Sequence, residues 1–219
     1  MPYLFAALLG IFAVVYSVVR HGGSLPARMF FKCAASVSFV LLAVSVRTGA
    51  PDSYYVLILA GLCASLAGDV VLLFTARGDG FMLAGMMAFA AAHGFYIAAF
   101  WTIASPSWVD AVFFAALMTL GASLLRAGRV KAGRSTAVLF VYIALLCAMA
   151  ARAISMLWVR GMPVLFGAFA AAGCVLFAVS DLLLGIEQRT GSKTAGSLST
   201  ISYYAAQGFI AFTVMMLKI

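Results

Sequence analysis

Apolar residues fall in long runs separated by short polar breaks along the whole chain. A bilayer core is crossed by about 20 helical residues, and the runs predict spans of about that length. They are read at Tyr3–Val19, Phe30–Val46, Tyr55–Phe74, Phe81–Trp101, Val109–Leu125, Thr136–Leu157, Pro163–Ile186 and Ser199–Leu217. The breaks HGGSLPAR, RTGAPDS, ARGDG, SPSW, RGMP and EQRTGSKTAGS hold glycines, prolines and charges that end helices. Backbone groups in lipid must be satisfied within their own segment, so such runs form helices. The short alternating strands of a membrane barrel are not seen. The expected fold is all-α: a polytopic bundle of about eight transmembrane helices in a single domain, 1–219.

Composition sharpens this reading. Of the 219 residues 66% are hydrophobic and 9% are charged, with a mean hydropathy of +1.14. A soluble domain is about a quarter charged, so lipid is the main solvent. The formal charge of +8 resembles a nucleic-acid signal, but the cations are scattered through short connectors and form no stripe on a soluble face. Nucleic acid is therefore excluded as a partner, and membrane lipid is expected.

Basic residues in connectors instead set orientation. Arg20, Arg28, Arg77, Arg126, Arg129, Lys131, Arg134, Arg189 and Lys193 lie on one side; Arg47, Arg160 and Lys218 lie on the other. The first side is expected in the cytoplasm and both termini outside. The Arg- and Ala-rich composition fits a bacterial inner membrane. MPYLFAALLG has no charged leader and reads as a first span rather than a cleavable signal. Cys33, Cys63, Cys147 and Cys174 sit singly in apolar runs, without the spacing of a disulfide framework or zinc site. No metal or cofactor is expected.

Two halves of the chain resemble one another. AGLCASLAGDVVLLF in the third span and AGCVLFAVSDLLLGI in the seventh align Asp69 with Asp181 and Ala60-Gly61 with Ala172-Gly173. In the next span of each half, Ala92-His93-Gly94-Phe95 matches Ala206-Gln207-Gly208-Phe209. This suggests a parallel four-plus-four duplication about an axis normal to the membrane. A carboxylate in hydrocarbon costs roughly 3 kcal/mol on insertion scales, so Asp69 and Asp181 mark either function or a specific structural bond. Each is placed about five residues before the cytoplasmic end of its helix, roughly 7–8 Å inside. The expectation is that their helices are neighbours and that both line one cleft open to the cytoplasmic leaflet. A close carboxyl pair suits acid/base work.

Other polar groups are candidates for lining that cleft. Lys32 begins the second span, Tyr142 lies early in the sixth, and Tyr203, Tyr204 and Gln207 follow the start of the eighth. Snorkelling and interfacial anchoring are the competing readings for the lysine and the tyrosines. His93, near mid-bilayer, points to a polar cavity or to simple packing. Arg152 is placed toward the outer leaflet, outside the site, and Arg77–Asp79 reads as a turn. Two histidines at different depths do not make a catalytic zinc site, and Ser65 and Ser180 lack a nearby histidine in sequence for a hydrolase triad.

These strings are similar to the YhhN family of membrane proteins, which includes lysoplasmalogenases. The matching pieces are Gly68-Asp69, His93 with Tyr96 three residues on, Ser180-Asp181, and Tyr203-Tyr204 with Gln207. Lys32 matches a family lysine in the second helix, where Cys33 stands in place of a following proline. The resemblance implies eight helices and hydrolysis of the vinyl ether of a lysophospholipid, with Asp69 and Asp181 catalytic. Lys32, His93, Tyr96, Tyr142, Tyr203, Tyr204 and Gln207 would line the substrate site. The chemistry needs a proton on the β-carbon, an anion beside the developing cation and a base for water, as in glycoside hydrolysis. Intramembrane aspartates in repeated halves also suit a proton-coupled transporter; a scaffold held together by the aspartates is the third reading.

Overall fold

The computed structural model describes residues 1–47, 49–127 and 136–217, apart from the side chains of 125, 127 and 136. Arg129, Lys131, Arg134 and Lys218, four of the cations used for orientation, lie outside these residues. Among the described residues eight α-helices are found: α1 (Pro2–Val19), α2 (Leu25–Ser45), α3 (Asp52–Leu72), α4 (Asp79–Ile103), α5 (Trp108–Ala127), α6 (Thr136–Ser155), α7 (Val164–Thr190) and α8 (Lys193–Met216). Single 3-10 turns, Thr75–Arg77 and Met156–Trp158, precede α4 and α7.

The helix ends follow capping chemistry rather than the edges of the apolar runs. α2 starts at Leu25, five residues before the expected Phe30, because Ser24 accepts a hydrogen bond from the Ala27 N–H at 3.4 Å and Pro26 suits the first turn. Arg28 is therefore helical. α7 runs on to Thr190 and is stopped by Gly191 at φ 69°, the left-handed conformation a glycine permits. Ser192 then caps α8 through the Ala195 N–H at 3.3 Å, so α8 begins six residues before the expected Ser199.

Six helices, α1 to α4, α6 and α7, are long and apolar enough to cross a membrane. The apolar stretch of α5 is shorter, Trp108–Leu124, and α8 is long but carries Ser197, Ser199, Thr200, Ser202, Gln207 and Thr213. Packing explains the difference. α8 lies against α1, α2, α3 and α7 and is the most enclosed helix, so its polar groups meet protein. The solvent-facing surface is the reverse: Leu4, Ile11, Val18, Phe30, Val56, Met87, Val112 and Val164 point outward, as lipid requires.

The two halves share their internal packing. α3 packs on α4 as α7 packs on α8, and the contact of α2 with α8 is matched by that of α6 with α4. A Cβ on Gly61 would collide with the Tyr96 ring; a Cβ on Gly173 would meet Ile210 at 2.9 Å and the Ala206 carbonyl at 3.1 Å. Gly61 and Gly173 are equivalent under the repeat, and so are Tyr96 and Ile210. Beside the aspartates, Gly85 approaches the Gly68 carbonyl where Ser199 donates to the Ser180 carbonyl at 2.8 Å.

The expectation that the aspartate-bearing helices are neighbours is not met. α3 and α7 make at most a marginal contact, and side chains of α4 and α8 come between them. Nor do the aspartates sit equally far from their helix ends. Asp69 is three residues from Leu72, whereas Asp181 is nine from Thr190, because α7 continues past its apolar run.

Candidate functional site

The end of the bundle bearing Arg20, Arg28 and Arg189 holds the main polar constellation. Lys32 and Ser36 are four residues apart on α2 and so share a face. Both turn to Asp69 on α3. Lys32 Nζ lies 3.3 Å from Asp69 Oδ1, and the Ser36 hydroxyl donates to Oδ2 at 2.7 Å. From α8, Tyr203 donates to the same Oδ2 at 2.7 Å. Tyr204, the next residue, turns to α2 instead, donating to the Lys32 carbonyl at 3.3 Å and lying 3.4 Å from Ser36 Oγ. Adjacent tyrosines serve both helices because α8 faces α2 and α3 at once.

Asp69 is only 3% exposed. A carboxylate buried so deeply is tolerable when a cation and hydroxyl donors replace its water. The snorkelling alternative for Lys32 is therefore set aside: its ammonium turns to Asp69, with Nζ 5.7 Å from the centre of the Tyr16 ring.

Asp181 has a different setting. Tyr142 of α6 donates to its Oδ2 at 2.6 Å, and no cation pairs with it among the described residues. The asymmetry has a sequence origin. Tyr203 stands four residues before Gln207, and its repeat equivalent, four before His93, is Phe89. Phe89 has no hydroxyl to give to Asp181; its ring packs instead against Phe177 at 6.0 Å and Tyr203 at 5.8 Å.

Between the two carboxyls lies a closed circuit of side chains. His93 packs on Phe177 at 4.8 Å between ring centres and on Tyr142 at 5.2 Å. Phe177 packs on Tyr203 at 5.5 Å. Tyr203 is one turn from Gln207, whose Oε1 accepts from Tyr96 at 2.9 Å, and Tyr96 is three residues from His93. Ser65 Oγ lies 3.5 Å from the Tyr96 hydroxyl. Both His93 nitrogens and Gln207 Nε2 are buried without a protein partner.

All nine sequence-derived candidates thus fall into one connected region with two carboxyl nodes. It is not the single cleft with facing carboxyls expected from the repeat. Ser36 was missed, because serine is ordinary in membrane helices; its one signal is the four-residue spacing from Lys32. Arg152 lies outside this region, as expected. It pairs with Asp110 at 3.2 Å and donates to the carbonyls of Phe100, at 3.3 Å, and Ala104, so it closes the end of α4.

Among the described residues no three His, Cys, Asp or Glu side chains gather as metal ligands. An apolar groove of about 390 Å³ between α1 and α8, lined by Leu9, Ala13, Leu42 and Phe209 among others, reaches Tyr204. The Asp69 node, which Tyr204 separates from this groove, can hold a negative charge, stabilise a cation developing next to it, and orient water. No curated protein and no solved structure matches the chain. The family model that does match, described as the YhhN family, covers residues 27–214. That span takes in every residue of both carboxyl nodes and most of each helix from α2 to α8, and the chain belongs to the YhhN family.

Proposed function

We propose that the protein hydrolyses the vinyl ether of lysoplasmalogens in the cytoplasmic leaflet of a bacterial inner membrane, releasing a fatty aldehyde and a glycerophospho-base. The observation that carries the reading is the Asp69 carboxylate, buried and held by one ammonium and two hydroxyls. Membership in a family that includes lysoplasmalogenases supports it. The apolar groove that Tyr204 helps to line suits a single alkenyl chain.

In this reading a proton passes to the β-carbon of the alkenyl chain and the α-carbon becomes an oxocarbenium ion. Asp69 stabilises that ion and takes a proton from the attacking water as the C–O bond forms. The hemiacetal then collapses: Asp69 passes the proton it took from water to the departing glycerol oxygen, the hemiacetal hydroxyl returns its proton to the acid that supplied the first, and the carbonyl of the aldehyde forms. Asp181, with one hydroxyl partner and no cation, is the source of the first proton, which reaches the substrate through water and His93, because side chains of α4 and α8 stand between the two carboxyls. Lys32, Ser36 and Tyr203 hold Asp69 in place, and His93, Tyr96, Tyr142, Tyr204 and Gln207 shape the surroundings.

The test is aldehyde release from a lysoplasmalogen by folded, monodisperse protein in detergent. Asp69→Asn and Asp181→Asn each remove the titrating group at constant size, and each should lose on the order of 10² or more in turnover. Full activity in both variants would end the carboxylate mechanism. No aldehyde from the wild type with any vinyl ether lysolipid, together with solute flux in liposomes, would assign the protein to transport instead.

A further inference from the structure

Three half-buried cations stand near the Asp69 node at the basic end of the bundle, and two are occupied. Arg20 pairs with Glu187 at 2.7 Å and donates to Thr200 Oγ1 at 2.9 Å and to the Gly196 carbonyl. Lys32 pairs with Asp69. Arg28 is the third. Its side chain is half-buried, its Nε is buried without a partner, and among the described residues no carboxylate or carbonyl meets its guanidinium. The neighbouring His21 is turned away, 3.0 Å from Ser197 Oγ, while Arg77, Arg189 and Lys193 are exposed.

Arg28 sits four residues before Lys32 on α2, on the same face and one turn nearer the aqueous boundary. We propose that Arg28 binds the phosphodiester of the lysophospholipid headgroup and so sets the preference for phosphate-bearing vinyl ethers. The inference rests on the vinyl ether hydrolase reading. A phosphate needs a cation, and Lys32 is committed to the carboxylate. The four-residue step from Arg28 to Lys32 along α2, about 6 Å, corresponds to a three-carbon glycerol with its alkenyl ether at the Asp69 level and its phosphate at the Arg28 level. A guanidinium is planar and matches two phosphate oxygens at once. Among the described residues Arg28 also has no protein bond to give up, so binding breaks no ion pair there.

The experiment compares two substrates, a lysoplasmalogen and the corresponding 1-alkenylglycerol that lacks the phosphate, on wild type, Arg28→Gln and Arg28→Lys. Arg28→Gln should raise KM for the lysoplasmalogen roughly tenfold, the loss of one charged hydrogen bond, and hold kcat within about threefold. Its kcat/KM for the alkenylglycerol should equal that of the wild type. Arg28→Lys should recover part of the KM. Equal losses on both substrates, or no loss on either, would overturn the assignment while leaving the hydrolase reading intact. A wild type that cleaves neither substrate would overturn the hydrolase reading itself. Inhibition of the wild type by millimolar inorganic phosphate that vanishes in Arg28→Gln, with KM for the lysoplasmalogen unchanged in that variant, would assign Arg28 to free phosphate and likewise overturn the headgroup role.

Discussion

Lys32 and Asp69 are bound to each other by the cost of leaving either alone in a low-dielectric interior. Breaking a buried pair from one side strands the other charge, at about 3–5 kcal/mol. Lys32→Met should therefore lower the melting temperature in detergent markedly. Lys32→Met combined with Asp69→Asn should recover most of that loss, since the stranded anion is gone, yet remain inactive. Equal stability of the single and double variants would show that the ion pair contributes nothing to the fold. The charged members of this pair were legible in the sequence because a charge inside an apolar run is conspicuous. Ser36 was not, although it donates to the same oxygen as Tyr203. A hydroxyl is cheap in a membrane helix and leaves no mark until the helix opposite is known. Phe89 is the converse case: it becomes informative only when set against Tyr203 in the repeat.

The helices were legible as apolar runs, and their ends were not. The first turns of α2 and α8 are polar and lie where water is available, so hydropathy passes over them, while Ser24, Ser192 and Gly191 fix them through local backbone geometry. The glycine pair Gly61 and Gly173 was visible as part of the repeat, and the structure supplies its reason. Each lets the next helix approach where a methyl group would strike Tyr96, or Ile210 and the Ala206 carbonyl. Gly61→Ala should lower stability by about 1–3 kcal/mol, the usual range for overpacking. It should also disturb the Tyr96–Gln207 hydrogen bond. Gly94→Ala is the control, because nothing stands within 4 Å of a Cβ there. Thermal unfolding of the two variants in the same detergent separates them; matching curves would remove close helix approach as the role of Gly61.

The whole molecule is a bundle whose repeat was readable and whose arrangement was not. Duplication relates α3 to α7 but does not say which helices stand nearest the axis, so the sequence suggested facing carboxyls where α4 and α8 intervene. Reporter fusions at the Gly191-Ser192 turn and after Arg77 should read cytoplasmic, and fusions at either terminus external; the opposite result would move the Asp69 node to the outer leaflet. α8, finally, bears on how the protein is made. It follows every other helix in the chain, is too polar to be counted with the six strongly apolar spans, and brings Tyr203 to Asp69. Such a helix partitions into the bilayer only with partners already in place to receive its hydroxyls and amide. Membrane insertion of α8 is thus expected to couple to docking, which would complete the carboxylate cradle in the same event. A nascent chain halted before that event carries Asp69 with Lys32 and Ser36 but without Tyr203, so a stalled intermediate would leave an incompletely hydrogen-bonded carboxylate for membrane quality control to recognise.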